Sequence, residues 1–193
     1  MNNRSVILGL LVVVIGVGLG FSFLRPAPQA PAADAAAPAA ATETAPAAAV
    51  VPTGEVVLTI KGGPNADGET LEVAYDLSGL KALPVTTFET TTMWTDGVKK
   101  FEGVELKTLL SMLKIEKGTL SATAINDYRI EIPVAEIEAG GPIIAYMMDG
   151  EAMSVRDKGP LWLVYPFDSA AKYQSEVVFS RSIWQLNRLD IAP

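Results

Sequence analysis

Met153-Ser-Val-Arg-Asp-Lys-Gly-Pro-Leu-Trp-Leu-Val-Tyr-Pro166 sets the terms for reading the rest of the chain. Three consecutive charges, Arg156, Asp157 and Lys158, abut Gly159-Pro160, and the sequence then turns wholly apolar from Leu161 to Tyr165. A short apolar run bounded by turn residues is the pattern of a buried strand. The polar turn that feeds it is either a solvated connection closed by Gly-Pro or a way to hold fixed charges at the mouth of a pocket.

Upstream of this segment, Ile143 to Met148 reads as another buried strand, and Asp149-Gly150 as a hairpin turn leading into Glu151 to Val155. Leu120 to Ile125 and Arg129 to Ile132 read as strands on either side of Asn126-Asp127-Tyr128, and Ile183 to Ile191 closes the chain as a last strand. Val56 to Ile60 is β-prone, as is the threonine-rich Thr86 to Thr92, and Leu71, Val73 and Tyr75 alternate with polar residues at the strand period. Leu106, Leu109, Leu110 and Leu113 instead follow the spacing of an amphipathic helix, which Gly118 should end. Two shorter helices are expected, at Leu77 to Leu83 before Pro84 and at Val134 to Ala139. Lys61-Gly62-Gly63-Pro64-Asn65 lacks the helix and Lys-Ser/Thr pair of a phosphate loop, and is read as a plain turn. Many short strands with three short helices predict one α+β domain of mixed sheets over 54–193.

The residues before it differ in kind. Val6 to Leu24 is apolar and uncharged between Arg4 and Arg25. At ~1.5 Å per residue it reaches about 28 Å, close to a bilayer core of ~30 Å. Residues 1–25 are therefore expected to be a signal anchor, with a cleaved signal peptide as the rival reading. Arg4 favours a cytoplasmic amino terminus, which would place the remainder in the bacterial periplasm, held at the inner membrane through residues 6–24. The Ala- and Pro-dominated stretch 26–53 cannot bury a core and is expected to act as a spacer.

Composition removes much chemistry. The 193 residues include no cysteine and no histidine, so thiolate and imidazole nucleophiles, Ser-His-Asp triads, the usual zinc sites and His- or Cys-ligated haem are excluded. A net charge of −7 argues against a nucleic-acid partner, which selects a basic surface. What remains at loop positions is Trp94 with Thr95 and Asp96, the trio Asn126, Asp127 and Tyr128, and the cations Arg156 and Lys158. These types suit a flat heteroaromatic ligand: an aromatic face to stack on, amides and carboxylates for the ring edge, and cations for keto or phosphate oxygens. Trp94 lies in a turn-like segment and reads as a site residue or a core residue with equal ease. Trp162 and Trp184 lie in strand patterns and read as core.

The order of Phe101-Glu-Gly-Val-Glu-Leu106, Leu109-Leu110, Asn126-Asp-Tyr128, Asp149-Gly150, Gly159-Pro-Leu-Trp162 and Ser182-Ile-Trp184 resembles the molybdopterin-binding domain of the sulfite oxidase fold. Catalytic members of that family bind molybdenum through a cysteine shortly before the Phe-x-Gly-Val segment. Here that stretch is Thr90-Thr-Thr-Met-Trp-Thr95, and neither Met93 nor Trp94 replaces a thiolate. Thr-Thr-x-Trp-Thr-x-Gly, Ser-Val-Arg-Asp-Lys-Gly-Pro-Leu-Trp and Tyr-Pro-x-Asp are more similar to the small exported PruR-like pterin-binding proteins of this fold. That resemblance implies a reversible pterin site without molybdenum, with Trp94 as stacking face, Arg156 and Lys158 toward cofactor oxygens, and Asn126 and Asp127 at the same pocket. It also implies a non-catalytic sensor that reports pterin to a membrane-bound cyclic-di-GMP signalling partner. Two alternatives stand beside it: a molybdopterin-dependent oxidoreductase, and a ligand-free interaction module whose pocket has closed.

Overall fold

Trp162, Leu163 and Val164 form a strand in which every side chain is fully buried. It pairs antiparallel with Ile143–Met148, matching Ile143 to Val164, Ile144 to Leu163 and Ala145 to Trp162. Successive side chains of a strand face opposite ways, so burial of all of them requires apolar cover on both faces. Ile144, Tyr146 and Leu163 join one core, with Leu58, Ile60, Leu106 and Leu189. Ile143, Ala145, Trp162 and Val164 join a second, aromatic one with Phe101, Tyr165 and Phe167.

This computed structural model describes residues 51–193. The membrane span expected at 1–25 and nearly all of the linker expected at 26–53 lie outside the described residues. Among the described residues no helix is long and apolar enough to cross a membrane. In chain order the elements are β1 (Val56–Gly62), β2 (Leu71–Asp76), α1 (Leu77–Lys81), β3 (Val85–Thr91), β4 (Val98–Glu105), α2 (Leu106–Met112), β5 (Thr119–Ala124) and β6 (Arg129–Pro133). They continue with β7 (Ile143–Met148), β8 (Glu151–Ala152), β9 (Trp162–Val164), α3 (Glu176–Arg181) and β10 (Leu186–Ala192). One sheet runs β2-β1-β10-β5-β6, with β1 and β10 parallel. The other runs β3-β4-β7, and the far edge of β7 is shared by β9 and β8. The domain is thus α+β with two mainly antiparallel sheets, as expected.

The aromatic core is closed by the chain after β9. Single helical turns at Phe167–Ser169 and Ala171–Tyr173 lead into α3, whose amino end is capped by Ser175 accepting the Val178 N–H at 3.4 Å. The Trp162 indole N–H donates to the Ser182 carbonyl at 3.1 Å and so ties the end of α3 to the strand beneath it.

Several expectations are adjusted. α2 stops at Met112 rather than running to Gly118, because Lys114 takes a left-handed φ of 56°. Val134–Glu136 is one 3-10 turn, and the third α-helix is α3 instead. The hairpin strand after Gly150 is two residues long. Residues 98–105, assigned to no element from the sequence, form β4 in the interior of a sheet. Gly103 is needed there: a Cβ would come within 2.1 Å of the Ile144 carbonyl oxygen on β7.

Asp76, 3 % exposed, joins the start of the described chain to α1. Its carboxylate accepts the Ser78 hydroxyl at 2.7 Å, the Gly79 N–H at 2.7 Å, the Gly54 N–H at 2.8 Å and the Thr53 N–H at 2.9 Å. These bonds hold the carboxyl well below the usual range against the opposing effect of burial. A lowered folded-state pKa contributes stability that is complete above the unfolded value of about 3.9 and is lost as pH falls through the folded one. Urea unfolding of Asp76→Asn is therefore expected to show a shallower loss of stability below about pH 4 than the wild type. Parallel acid slopes for the two proteins would contradict this assignment.

Candidate ligand-binding site

Trp94 stands on the turn between β3 and β4, with its N–H donated to the Thr92 hydroxyl at 3.1 Å and the Thr92 and Thr95 hydroxyls bonded at 2.8 Å. These bonds brace the turn, which aims a half-buried indole at the aromatic core. The ring packs edge-on to Trp162 at 5.9 Å, Trp184 at 5.6 Å and Phe179 at 6.2 Å, and tilted to Phe167 at 6.1 Å. Edge-to-face geometry is the favoured arrangement for such rings.

A cavity of about 440 Å³ opens against this cluster. Met93 and Trp94 line one side, Phe179, Ser180 and Ser182 from the end of α3 another, and Ile183 and Trp184 the segment that follows. Ala124, Asn126 and Tyr128 from the β5–β6 hairpin complete it. The volume lies within the range of about 300–1,000 Å³ usual for small-molecule sites. Two other hollows, of about 290 and 580 Å³, each include several charged side chains, among them the pairs Arg181 with Glu136 at 2.7 Å and Lys114 with Asp67 at 2.6 Å. The first cavity is mostly apolar and has no charged side chain in its lining.

Its polar groups have defined roles. The Asn126 side-chain oxygen accepts the Tyr128 N–H at 3.2 Å, which leaves the amide NH2 as a donor without a protein partner among the described residues. The Ser180 and Ser182 hydroxyls donate to the Val177 and Val178 carbonyls at 2.7 and 3.0 Å, so their oxygens remain as acceptors. The cavity therefore offers aromatic faces, one amide donor and two hydroxyl acceptors. That combination suits a flat, uncharged ring with hydrogen-bonding edges.

Of the residues singled out from the sequence, Trp94, Asn126 and Tyr128 line this cavity, and Thr95 and Asp96 do not. Asp127 sits beside it at the hairpin tip, exposed, with a left-handed φ of 63°. Arg156 and Lys158 do not line it. They occupy the turn before Gly159, where the Asp157 and Gly159 N–H groups both donate to the Ser154 carbonyl, at 2.9 and 2.7 Å. Lys158 places its ammonium over the Trp162 ring, 5.6 Å from the centroid, and Arg156 is exposed with no ion pair among the described residues. The turn is nevertheless next to the site, because Gln185 binds both. Its side-chain amide donates to the Val155 carbonyl at 2.7 Å, its N–H to the Lys158 carbonyl at 3.0 Å, and its carbonyl accepts the Ile125 N–H at 2.9 Å.

Trp184 is the residue that sequence reasoning misplaced. Expected as core within a strand, it is 38 % exposed and meets Trp162 through a single bridge. The strand begins only at Leu186, because Gln185 adopts a φ of 54° and breaks the extended run. Trp162, in contrast, is core as expected.

Among the described residues no group of three or more Asp or Glu side chains forms a metal-binding set. With no cysteine in the chain, the lining also lacks the donor that the molybdenum enzymes of the resembled fold use.

The two tryptophans give a direct check on the site. Trp162→Ala should cost roughly 3–5 kcal/mol, as for other fully buried large aromatics, and Trp184→Ala clearly less. Chemical denaturation of the two variants measures both, and equal losses would return Trp184 to the core. Compared with models of known protein families and with curated proteins, the chain matches none.

Proposed function

We propose that this is an exported, membrane-tethered pterin-binding protein that senses its ligand without transforming it. The supporting observation is the cavity of about 440 Å³, walled by Trp94, Trp184, Tyr128 and Phe179 and free of charged side chains. A pterin is a flat bicycle whose amino-oxo edge both donates and accepts hydrogen bonds. The Asn126 NH2 group and the serine oxygens are complementary to such an edge, and the indole faces complement the ring. No covalent step is needed, which accords with a chain that has neither cysteine nor histidine.

The molybdopterin reading receives less support from the same residues. A phosphate-bearing cofactor calls for cations, and Arg156 and Lys158 stand on the adjacent turn, not in the lining. A pterin without the phosphate of the metal-bearing form calls for no such cations. In the ligand-free alternative Trp94 would only pack, yet its segment, the α3 end and the hairpin leave an open hollow between them.

The relay half of the proposal rests on the surface around the mouth. Met93, Tyr128 and Trp184 line the cavity and are also exposed, at 67 %, 53 % and 38 %. Ile125 and Val155, both exposed, adjoin them through Gln185. Methionine, tryptophan, tyrosine and arginine are the types enriched in protein interfaces, and here Arg156, Lys158 and Arg129 are interspersed with Asp96, Asp127 and Asp157. Mixed charge around an apolar centre suits a protein partner better than an anionic membrane surface, which the carboxylates would oppose. A membrane-bound signalling protein docked over the mouth would touch both ligand and rim, and a tether on this domain would raise its local concentration.

Titration of the full chain with biopterin should quench tryptophan emission saturably. Trp94→Ala should weaken binding roughly tenfold or more, while Arg156→Ala should leave it within about twofold, as expected for a residue outside the lining. An absence of saturable quenching in the wild type, or loss of binding in Arg156→Ala alone, would overturn the assignment.

A further inference from the structure

The Tyr165-Pro-Phe-Asp168 motif has so far supplied only aromatic packing, and its last residue carries a separate role. Asp168 is exposed, yet its carboxylate is fully engaged with a strand far away in sequence. One oxygen accepts the Thr91 N–H at 2.5 Å and the other the Thr91 hydroxyl at 2.8 Å. In return the Asp168 N–H donates to the hydroxyl of Thr90, a fully buried residue, at 3.1 Å.

Each end of this latch leads to one wall of the cavity. Thr91 is the last residue of β3, and the next residue, Thr92, receives the Trp94 N–H. Asp168 follows Phe167, whose ring lies 5.2 Å from Phe179 and 6.1 Å from Trp94. Trp94 and Phe179 both line the cavity, and their rings meet edge-on at 6.2 Å. No other side-chain carboxylate among the described residues bonds to the Thr90–Trp94 segment. From this geometry we infer that Asp168 is a positioning residue for the ligand site: it fixes the Trp94 turn against the end of α3 and so sets how the Trp94 ring is presented to the cavity.

Three features support this role over a purely structural one. The bonds hold the Asp168 carboxyl below its ordinary range, chiefly through the Thr91 N–H and then the Thr91 hydroxyl. The side chain is exposed, so its replacement removes little buried area. A binding side chain also depends on supporting bonds to hold it within a fraction of an ångström of its productive place. The inference builds on the pterin reading but has a readout of its own in the state of Trp94.

The test uses Asp168→Ala and Thr91→Val in the full chain. Asp168→Ala removes both acceptors of the latch, whereas Thr91→Val removes only the hydroxyl bond. Trp94→Phe serves as the reference that isolates the Trp94 emission. Asp168→Ala should keep its melting temperature near that of wild type, shift the Trp94 emission to the red, increase its quenching by acrylamide, and weaken biopterin binding roughly tenfold. Thr91→Val should move in the same direction by less. Wild-type emission, quenching and affinity in Asp168→Ala would overturn the inference. So would a fall in melting temperature with normal affinity in the folded protein. If the wild type takes up no biopterin, the pterin reading fails, and the latch is judged on emission and quenching alone.

Discussion

The buried Trp162 indole is the contact on which the rest of this domain depends. It sits on a strand whose faces are both covered, and its N–H must find an acceptor in that apolar setting. The acceptor is the Ser182 carbonyl, so burying the ring also fixes where α3 ends and where Trp184 begins. Phe101 packs edge-on beneath it at 5.4 Å, Trp94 lies at 5.9 Å, and Lys158 covers it at 5.6 Å. One side chain thereby gathers the β3–β4 turn, the turn before Gly159 and the segment after α3.

The cavity follows from that gathering. Main-chain and side-chain bonds centred on Gln185 bring the hairpin tip and the charged turn to the same end of the molecule. The hollow left between these loops has aromatic walls because the second core is aromatic, and it is uncharged because the nearby cations are engaged elsewhere or face outward. Loops carried on rigid strands are the usual place for binding residues, and the rim is apolar where a monomer would ordinarily be polar. On the proposed reading, these loops recognise a flat neutral ring without transforming it.

Much of the fold was legible in the sequence because its patterns are local. The all-apolar run after Gly159-Pro160, the Asp149-Gly150 turn, the Asn126-Asp-Tyr128 hairpin and the Leu106 to Leu113 spacing each reflect one period or one turn type. β4 and α3 were not legible. β4 is interrupted by Gly103, whose presence answers to a carbonyl on another strand, and α3 is a six-residue helix with exposed Val177 beside buried Val178. Among the cavity-lining residues, Trp94, Asn126 and Tyr128 could be picked out from their turn context. Trp184 was hidden because only a left-handed residue at position 185 distinguishes it from a strand residue. The placement of Arg156 and Lys158 outside the lining depends on where a short turn packs, which spacing does not encode. Asp168 was visible as part of a motif, but its partner lies 77 residues away.

The central claim is that this chain holds a pterin without a metal. The direct measurement is mass spectrometry of the small molecule released from the full chain purified from a bacterial host able to make the molybdenum cofactor, with molybdenum determined on the same sample. The account predicts a pterin at a substantial fraction of protein and no accompanying molybdenum. A metal-bearing pyranopterin would contradict it in favour of redox catalysis. A protein that emerges empty and ignores added reduced pterins would contradict it in favour of an interaction module.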